Sequence, residues 1–148
     1  MNKALQYSLK ILGKKDYTVH ELRQKMQLHE FGLREINEAI KVLIAKDFVN
    51  DERYAANYLR NHTSRGKVRI KFELIKRGIE SDLIEQVLFT TNSANQLEQA
   101  LEVAKSWWQR KNKPGVDQYK LKQQLMAKLS RQGFEYDIIR QTLDELIK

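Results

Sequence analysis

The sequence predicts an all-α protein made of three tandem three-helix repeats in an elongated, curved array. Glycine and proline are scarce, at 6 and 1 of 148 residues, while leucine, lysine, glutamate and other helix formers abound. Apolar residues recur at helical spacing between short polar breaks, and Asn-Gly hairpin signals are absent. Apolar positions also recur at offsets of 48 and 55 residues, and a helix stop recurs at the offset of 55. A repeated helical packing unit accounts for these observations.

The first repeat is predicted over residues 1–50. Thr18 and Glu21 have the spacing of a capping box, which predicts the start of the second helix. Gly13 and Gly32 are expected to separate the three helices. The residues expected to face the core recur at helical spacing: Leu5, Leu9, Leu12, Leu22, Met26, Leu33, Ile36, Ile40, Leu43 and Ile44.

The second repeat is predicted over residues 51–92. Asp51 and Glu52 are acidic residues at the expected start of its first helix, where the helix dipole favours negative charge. Its third helix is expected over about 81–90. Core candidates in these two helices are Tyr54, Ala55, Tyr58, Leu59, Leu83, Ile84, Val87 and Leu88.

The second helix of this repeat is expected over Arg65–Ile79, where six basic residues accompany one acid, Glu73. Because a helix turns about 100° per residue, Arg65, Arg69 and Lys76 share one stripe. Two apolar flanks of this helix are expected to be buried: Ile70 with Leu74, and Val68 with Ile75. The sequence therefore predicts a helix that keeps a basic ridge in water.

The third repeat is predicted over residues 93–148, with its longest helix at about 94–111. Asp117 is expected to cap the next helix, after the break at Pro114-Gly115. The stripe of the long helix expected to face the core comprises Leu97, Leu101, Ala104 and Trp108. This stripe favours core packing of the tryptophan pair over a base-stacking platform.

Positive charge is concentrated in two windows of a chain whose net charge is +8. Residues 60–77 hold seven Lys or Arg and one acid, and residues 105–131 hold eight and one acid. Concentrated charge of one sign on stacked helices suits an anionic partner such as nucleic acid. The predicted partner- or DNA-binding residues are Arg65, Lys67, Arg69, Lys71, Lys76, Arg77, Lys120, Lys122, Lys128 and Arg131.

The basic pattern recurs only in the second and third repeats. At an offset of 55, three basic positions match: Arg65 with Lys120, Lys67 with Lys122, and Lys76 with Arg131. Gly78 and Gly133 match as well, and each is expected to adopt positive φ at a helix end. In the first repeat Arg65 corresponds to Tyr17, so charge-based binding is predicted for repeats two and three alone.

Several functional classes lack their sequence signals. The chain has no cysteine, no His-Glu-x-x-His pair, no phosphate-binding glycine loop and no Gly-x-Ser-x-Gly motif. We therefore expect no enzymatic activity, no catalytic residues, no metal site and no cofactor. The N-terminal segment does not resemble a signal peptide, and no run of about 18 apolar residues exists. A monomeric cytoplasmic protein without a membrane segment is expected.

Four segments, in order, carry a family resemblance. They are Ala4–Met26, with its spaced leucines followed by Thr, Glu-Leu and basic residues; Phe48–Ala55; Arg65–Ile79; and Lys120–Phe134. Together they resemble the RecX family, bacterial regulators of the RecA recombinase, over nearly the whole chain. The second segment has Val49-Asn50-Asp51 where the family favours Leu-Asp-Asp, so only Asp51 carries over.

The resemblance implies tandem three-helix repeats, no enzymatic activity, and binding to RecA and the RecA–DNA filament. It also implies inhibition of filament extension, strand exchange, ATP hydrolysis and coprotease activity. Contact with single- or double-stranded DNA is left open. The residues themselves also allow a helical nucleic-acid-binding protein that acts without RecA, or a HEAT-like adaptor for another acidic protein; an enzyme ranks behind both.

Overall fold

The computed structural model describes residues 2–90 and 93–147, and in those ranges the regular secondary structure consists of nine α-helices and no strand. The helices are α1 Lys3–Leu12, α2 Val19–Leu28, α3 Leu33–Ala45, α4 Asp51–Asn61, α5 Lys67–Lys76, α6 Ser81–Phe89, α7 Ser93–Lys111, α8 Gln118–Arg131 and α9 Tyr136–Leu146. The all-α prediction is confirmed. The last two residues of the predicted second repeat, 91 and 92, lie outside the described ranges.

Local capping interactions start helices where the sequence predicts them. The Thr18 side chain accepts the backbone N–H of Glu21 at 3.1 Å, and the Glu21 carboxylate accepts the N–H of Thr18 at 2.9 Å. Asp117 likewise accepts the backbone N–H groups of Tyr119 and Lys120 at the start of α8. Both caps are confirmed, because they depend only on neighbours a few residues away.

The chain forms two compact units. The first comprises Met1–Asn57 and Leu74–Ile84, and the second comprises Tyr58–Glu73 and Glu85–Lys148. Helices α4, α5 and α6 therefore contribute residues to both units.

The core of the first unit corrects part of the predicted apolar face. Its buried cluster is Ala4, Leu22, Met26, Ile36, Ala39, Ile40, Leu43 and Val49. The predictions for Leu9, Leu33 and Ile44 are wrong, since all three are exposed. Helix α1 turns its small residues Ala4 and Ser8 inward instead, and the Ser8 hydroxyl donates to the Ala4 carbonyl at 2.8 Å. Small side chains allow close helix packing, which displaces the leucine stripe to the edge of the core.

The core of the second unit is built on α7, α8 and α9. Its buried cluster is Ala100, Ala104, Trp107, Leu121, Leu125, Leu129, Phe134, Ile138 and Ile139. The predicted stripe of α7 is displaced, because Leu97 and Leu101 are only half-buried while Ala100 is fully buried. Trp107 is buried and Trp108 packs against the cluster, so core packing of the tryptophan pair is confirmed.

A glycine turn after α5 packs on the start of α2 within the first unit. Gly78 has φ 85°, and the neighbouring Arg77 carbonyl accepts a hydrogen bond of 2.7 Å from the Thr18 hydroxyl. A Cβ atom added to Gly78 would lie 2.2 Å from the Cβ of His20. We call this arrangement the glycine-turn contact.

The second unit repeats the glycine-turn contact. Gly133, with φ 95°, follows α8, and the carbonyl of Gln132 accepts the backbone N–H of Gly66 at 2.7 Å. The Gly133 carbonyl accepts the N–H of Val68 at 3.1 Å, and a Cβ on Gly133 would lie 2.2 Å from the Cβ of Arg69. The predicted positive φ of both glycines is confirmed, and the close approach of another helix adds a second requirement for glycine.

Candidate functional site

The ten basic residues predicted to bind a partner differ in how their charge is engaged within the chain. Four of them contact other side chains: Arg65, Arg69, Lys71 and Arg77. Five have no ion pair within the part of the chain that the structure describes: Lys67, Lys120, Lys122, Lys128 and Arg131. The remaining residue, Lys76, is exposed at the end of α5.

Arg65 and Arg69 are half-buried around one carboxylate. The Arg65 guanidinium donates to Glu73 at 2.9 Å and to the Tyr58 hydroxyl at 3.0 Å, and Arg69 Nε lies 3.5 Å from the other Glu73 oxygen. Arg65 precedes α5, which begins at Lys67, so the predicted helical stripe through Arg65 is wrong. Gly66, the residue before Lys67, takes part in the glycine-turn contact of the second unit instead. The positive charge of the predicted water-exposed ridge is therefore reduced, because Glu73 partly neutralises both arginines.

Two further cations form contacts inside their own units. Lys71 pairs with Glu85 of α6 in the second unit. In the first unit the Arg77 guanidinium donates to the Tyr54 hydroxyl at 2.6 Å and lies 3.8 Å from the Glu21 carboxylate. The carboxylates of Glu85 and Glu21 lower the net positive charge that α5 and the residue after it offer to a partner.

Helix α8 carries the more open set of cations. It buries three leucines, and Lys120 and Arg131 are exposed. Eleven residues correspond to slightly more than three full helical turns, so Lys120 and Arg131 lie on one side of α8, about 16 Å apart along its axis. Lys122 and Lys128 are half-buried on the same helix. Exposed cations at this spacing attract a polyanion in a salt-dependent manner.

The apolar surface of α5 differs from its prediction. Ile70 and Leu74 are fully buried, as expected. The prediction that Val68 and Ile75 form a second buried flank is wrong, because they are 57% and 47% exposed. Neighbouring helices cover only one stripe of α5, and the other apolar residues remain in water.

A pocket of about 350 Å³ lies on this surface within the second unit. Its lining residues are Lys67, Val68 and Lys71 of α5, Glu85, Leu88 and Phe89 of α6, and Glu135. Phe89, the last residue of α6, is 89% exposed. Sequence reasoning missed this pocket, although the sequence held a signal for it. Phe89 is a large apolar residue at a position where the other repeats have the charged residues Lys41 and Asp144, at offsets of 48 and 55.

Two aspartates near the start of α4 have pKa values shifted in opposite directions. Burial raises the pKa of Asp51, although the hydrogen bond of 3.0 Å that it accepts from the Val19 N–H lowers it. Hydrogen bonds from Asn50 and Arg53 lower the pKa of the exposed Asp47. Both aspartates lie at the entry into α4, where burial dominates for Asp51 and hydrogen bonds dominate for Asp47.

Residues 2–90 and 93–147 contain no group of three or more His, Cys, Asp or Glu placed to hold a metal ion. Over the same residues, no helix has the length and apolar character needed to cross a membrane.

The chain matches three family models in succession along its length. They describe the first, second and third three-helix domains of RecX, and they match residues 4–43, 50–88 and 96–143. The prediction of three three-helix repeats is confirmed at this level.

Individual relatives agree with the family models. The chain is 30% identical to the regulatory protein RecX of Trichlorobacter lovleyi, over 93% of this chain and 92% of that relative. It is 33% identical to the regulatory protein RecX of Clostridium acetobutylicum, over 94% of this chain but 66% of that relative. The chain thus spans about two thirds of the length of that clostridial relative. The crystal structure of RecX from Lactobacillus salivarius matches with a TM-score of 0.87 and 27% identity, covering 97% of this chain and 94% of that one.

Proposed function

The chain belongs to the RecX family of regulatory proteins, and from this premise we propose that it regulates the RecA recombinase by binding RecA and the RecA–DNA filament. Binding is proposed to inhibit filament extension and thereby strand exchange, ATP hydrolysis and coprotease activity. The observation that carries the proposal is the succession of three RecX domain matches along one chain. We further propose that the protein acts as a monomer in the cytoplasm and is not an enzyme.

The charge distribution supports a role at a nucleoprotein filament. The exposed cations Lys120 and Arg131 lie on one side of α8, and Lys67 begins α5 with its amino group outside the ion pairs of the described chain. A filament of protein on DNA offers phosphates to such cations and a protein surface beside them. We propose that all ten predicted cations add to the attraction, with α8 contributing most because its charges are least compensated.

The test is the DNA-dependent ATPase activity of RecA, measured with increasing amounts of this protein over a range of salt concentrations. We expect the wild type to inhibit, and the variant Lys120→Glu/Arg131→Glu to lose at least tenfold in inhibitory potency. Inhibition by the wild type is expected to weaken as salt rises, because exposed charges are screened.

The matched control is Lys14→Glu/Lys41→Glu, which makes the same change in net charge at exposed positions of the first repeat. It is expected to inhibit nearly as well as the wild type. Equal inhibition by both charge-reversed variants and the wild type would refute the role of α8. A wild type that leaves RecA activity unchanged would refute the proposed function itself.

A helical nucleic-acid-binding protein that acts without RecA is the second candidate. The exposed cations of α8 favour it, since phosphates alone suffice to bind them. Complex formation with RecA in the absence of DNA distinguishes the candidates, because only the RecA regulator is expected to form it.

A further inference from the structure

We propose that the pocket between α5 and α6 in the second unit receives a bulky apolar side chain of a protein partner, while most of the phosphate binding belongs to α8. The inference rests on the proposed function, in which that partner is RecA. It assigns the protein contact and the phosphate contact to different surfaces of the second unit.

The pocket combines a buried floor with exposed apolar walls. Leu88 is 5% exposed, whereas Val68 and Phe89, which line the same pocket, are 57% and 89% exposed. Large exposed apolar residues around a concave surface are typical of protein contact sites, and a few such anchors carry most of the affinity of an interface. A volume of about 350 Å³ accommodates one or two side chains of a partner.

Comparison among the repeats shows that the fold does not require these walls to be apolar. At offsets of 48 and 55 the equivalent positions hold exposed polar residues: His20 and Gln123 for Val68, and Lys41 and Asp144 for Phe89. The floor residue Leu88, by contrast, has apolar counterparts at both offsets. The walls are therefore apolar for a reason specific to the second repeat, and binding supplies that reason.

The charges around the pocket favour a protein over a polyanion. The described lining has two lysines and two glutamates, so its formal charge is zero (2 − 2). Lys71 and Glu85 already pair with each other, which leaves Lys67 and Glu135 on the rim without an ion pair in the described chain. A nucleic-acid strand would meet two carboxylates here. A peptide segment with an apolar anchor, an acidic residue for Lys67 and a basic residue for Glu135 is complementary.

The test measures the Kd for DNA-free RecA with the variant Val68→Ser/Phe89→Ser. We expect Kd to rise at least tenfold because the anchor loses its apolar walls. Since both residues are exposed, the variant is expected to keep the wild-type circular dichroism spectrum and melting temperature. Affinity for single-stranded DNA is expected to stay within twofold of the wild type.

The matched control is Leu28→Ser/Leu33→Ser, which removes two exposed leucines of the first unit that are 79% and 66% exposed. Its Kd for RecA is expected to remain within twofold of the wild-type value. Conversely, Lys120→Glu/Arg131→Glu is expected to lose more affinity for DNA than for DNA-free RecA.

Each remaining outcome decides against the inference. If the wild type binds RecA and Val68→Ser/Phe89→Ser binds it with the same Kd, the role of the pocket is refuted and the proposed function stands. An equal loss of DNA affinity in that variant assigns the pocket to nucleobases. Wild-type dimers that dissociate in the variant, as measured by sedimentation, assign it to a second copy of the chain. If the wild type does not bind RecA, both the inference and the proposed function are refuted.

Discussion

Each of the three repeats has a residue with positive φ at one equivalent position: Glu30 at 61°, Gly78 at 85° and Gly133 at 95°. Glu30 shows that the turn itself accepts a residue with a side chain, because Glu30 is exposed. Gly78 and Gly133 instead approach another helix so closely that a Cβ would overlap it. The glycine-turn contact, and not the turn alone, therefore requires glycine.

Replacing Gly133 by alanine is expected to lower the free energy of unfolding more than the same change at Gly115. Gly115 also has positive φ, at 87°, but an added Cβ there meets nothing within 4 Å. Positive φ costs a residue with a Cβ about 1–2 kcal/mol, and overlap with Arg69 is expected to add roughly 1–3 kcal/mol. Chemical denaturation of both variants measures the difference. Equal losses would show that close packing plays no part.

Asp51→Asn is expected to change how stability depends on pH. Burial and the charges of Glu21 and Glu80 raise the pKa of Asp51, so the folded state binds its proton more tightly than the unfolded state does. The wild type therefore gains stability from this group as pH falls through the folded pKa. Asparagine keeps an acceptor for the Val19 N–H but carries no charge, so the variant's advantage over the wild type should be largest near neutral pH and shrink in acid.

The matched control is Asp47→Asn, because hydrogen bonds lower the pKa of Asp47. Its contribution to stability is present above the unfolded pKa and is lost as pH falls through the folded pKa. Urea unfolding from pH 7 to well below pH 3.8, the ordinary aspartate pKa from which both groups are shifted, should therefore give pH slopes of opposite sign for the two variants relative to the wild type. Parallel curves would contradict the assignment.

At the scale of helices, the ends and the buried faces have different origins. Thr18, Glu21 and Asp117 act on backbone groups a few residues away, so the starts of α2 and α8 follow from local sequence. The buried face depends on which neighbours pack against the helix. Leucines that continue an apolar stripe beyond those neighbours, such as Leu9 and Leu33, stay exposed.

Helix α5 offers a direct test of this distinction. Leu74 is fully buried and Ile75 is 47% exposed, although they are adjacent and similar in size. Leu74→Ala is expected to lower the free energy of unfolding by about 2–5 kcal/mol, whereas Ile75→Ala should change it by about 0.5 kcal/mol or less. Urea denaturation measures both. Comparable losses would mean that the exposed side of α5 also packs against the fold.

At the scale of the whole molecule, the positions that are alike in all three repeats differ from the positions that set one repeat apart. Ile70 and Leu74 have apolar counterparts in both other repeats, as the shared packing requires. Val68 and Phe89 have polar counterparts in the other repeats. The exposed cations of α8, Lys120 and Arg131, have no basic counterpart in the first repeat. Packing explains the positions that repeat, and binding is the proposed explanation for those that do not.

The sequence by itself determined the all-α class, the caps of α2 and α8, the glycine turns and the family, because these depend on local backbone chemistry and on the order of motifs along the chain. Only the tertiary structure decided which charges stay available. Glu73 lies within reach of both Arg65 and Arg69, and Lys71 meets Glu85, a residue 14 positions away. The pocket at Val68 and Phe89 likewise needed the structure, since helical periodicity identifies an apolar face but not whether a neighbouring helix covers it.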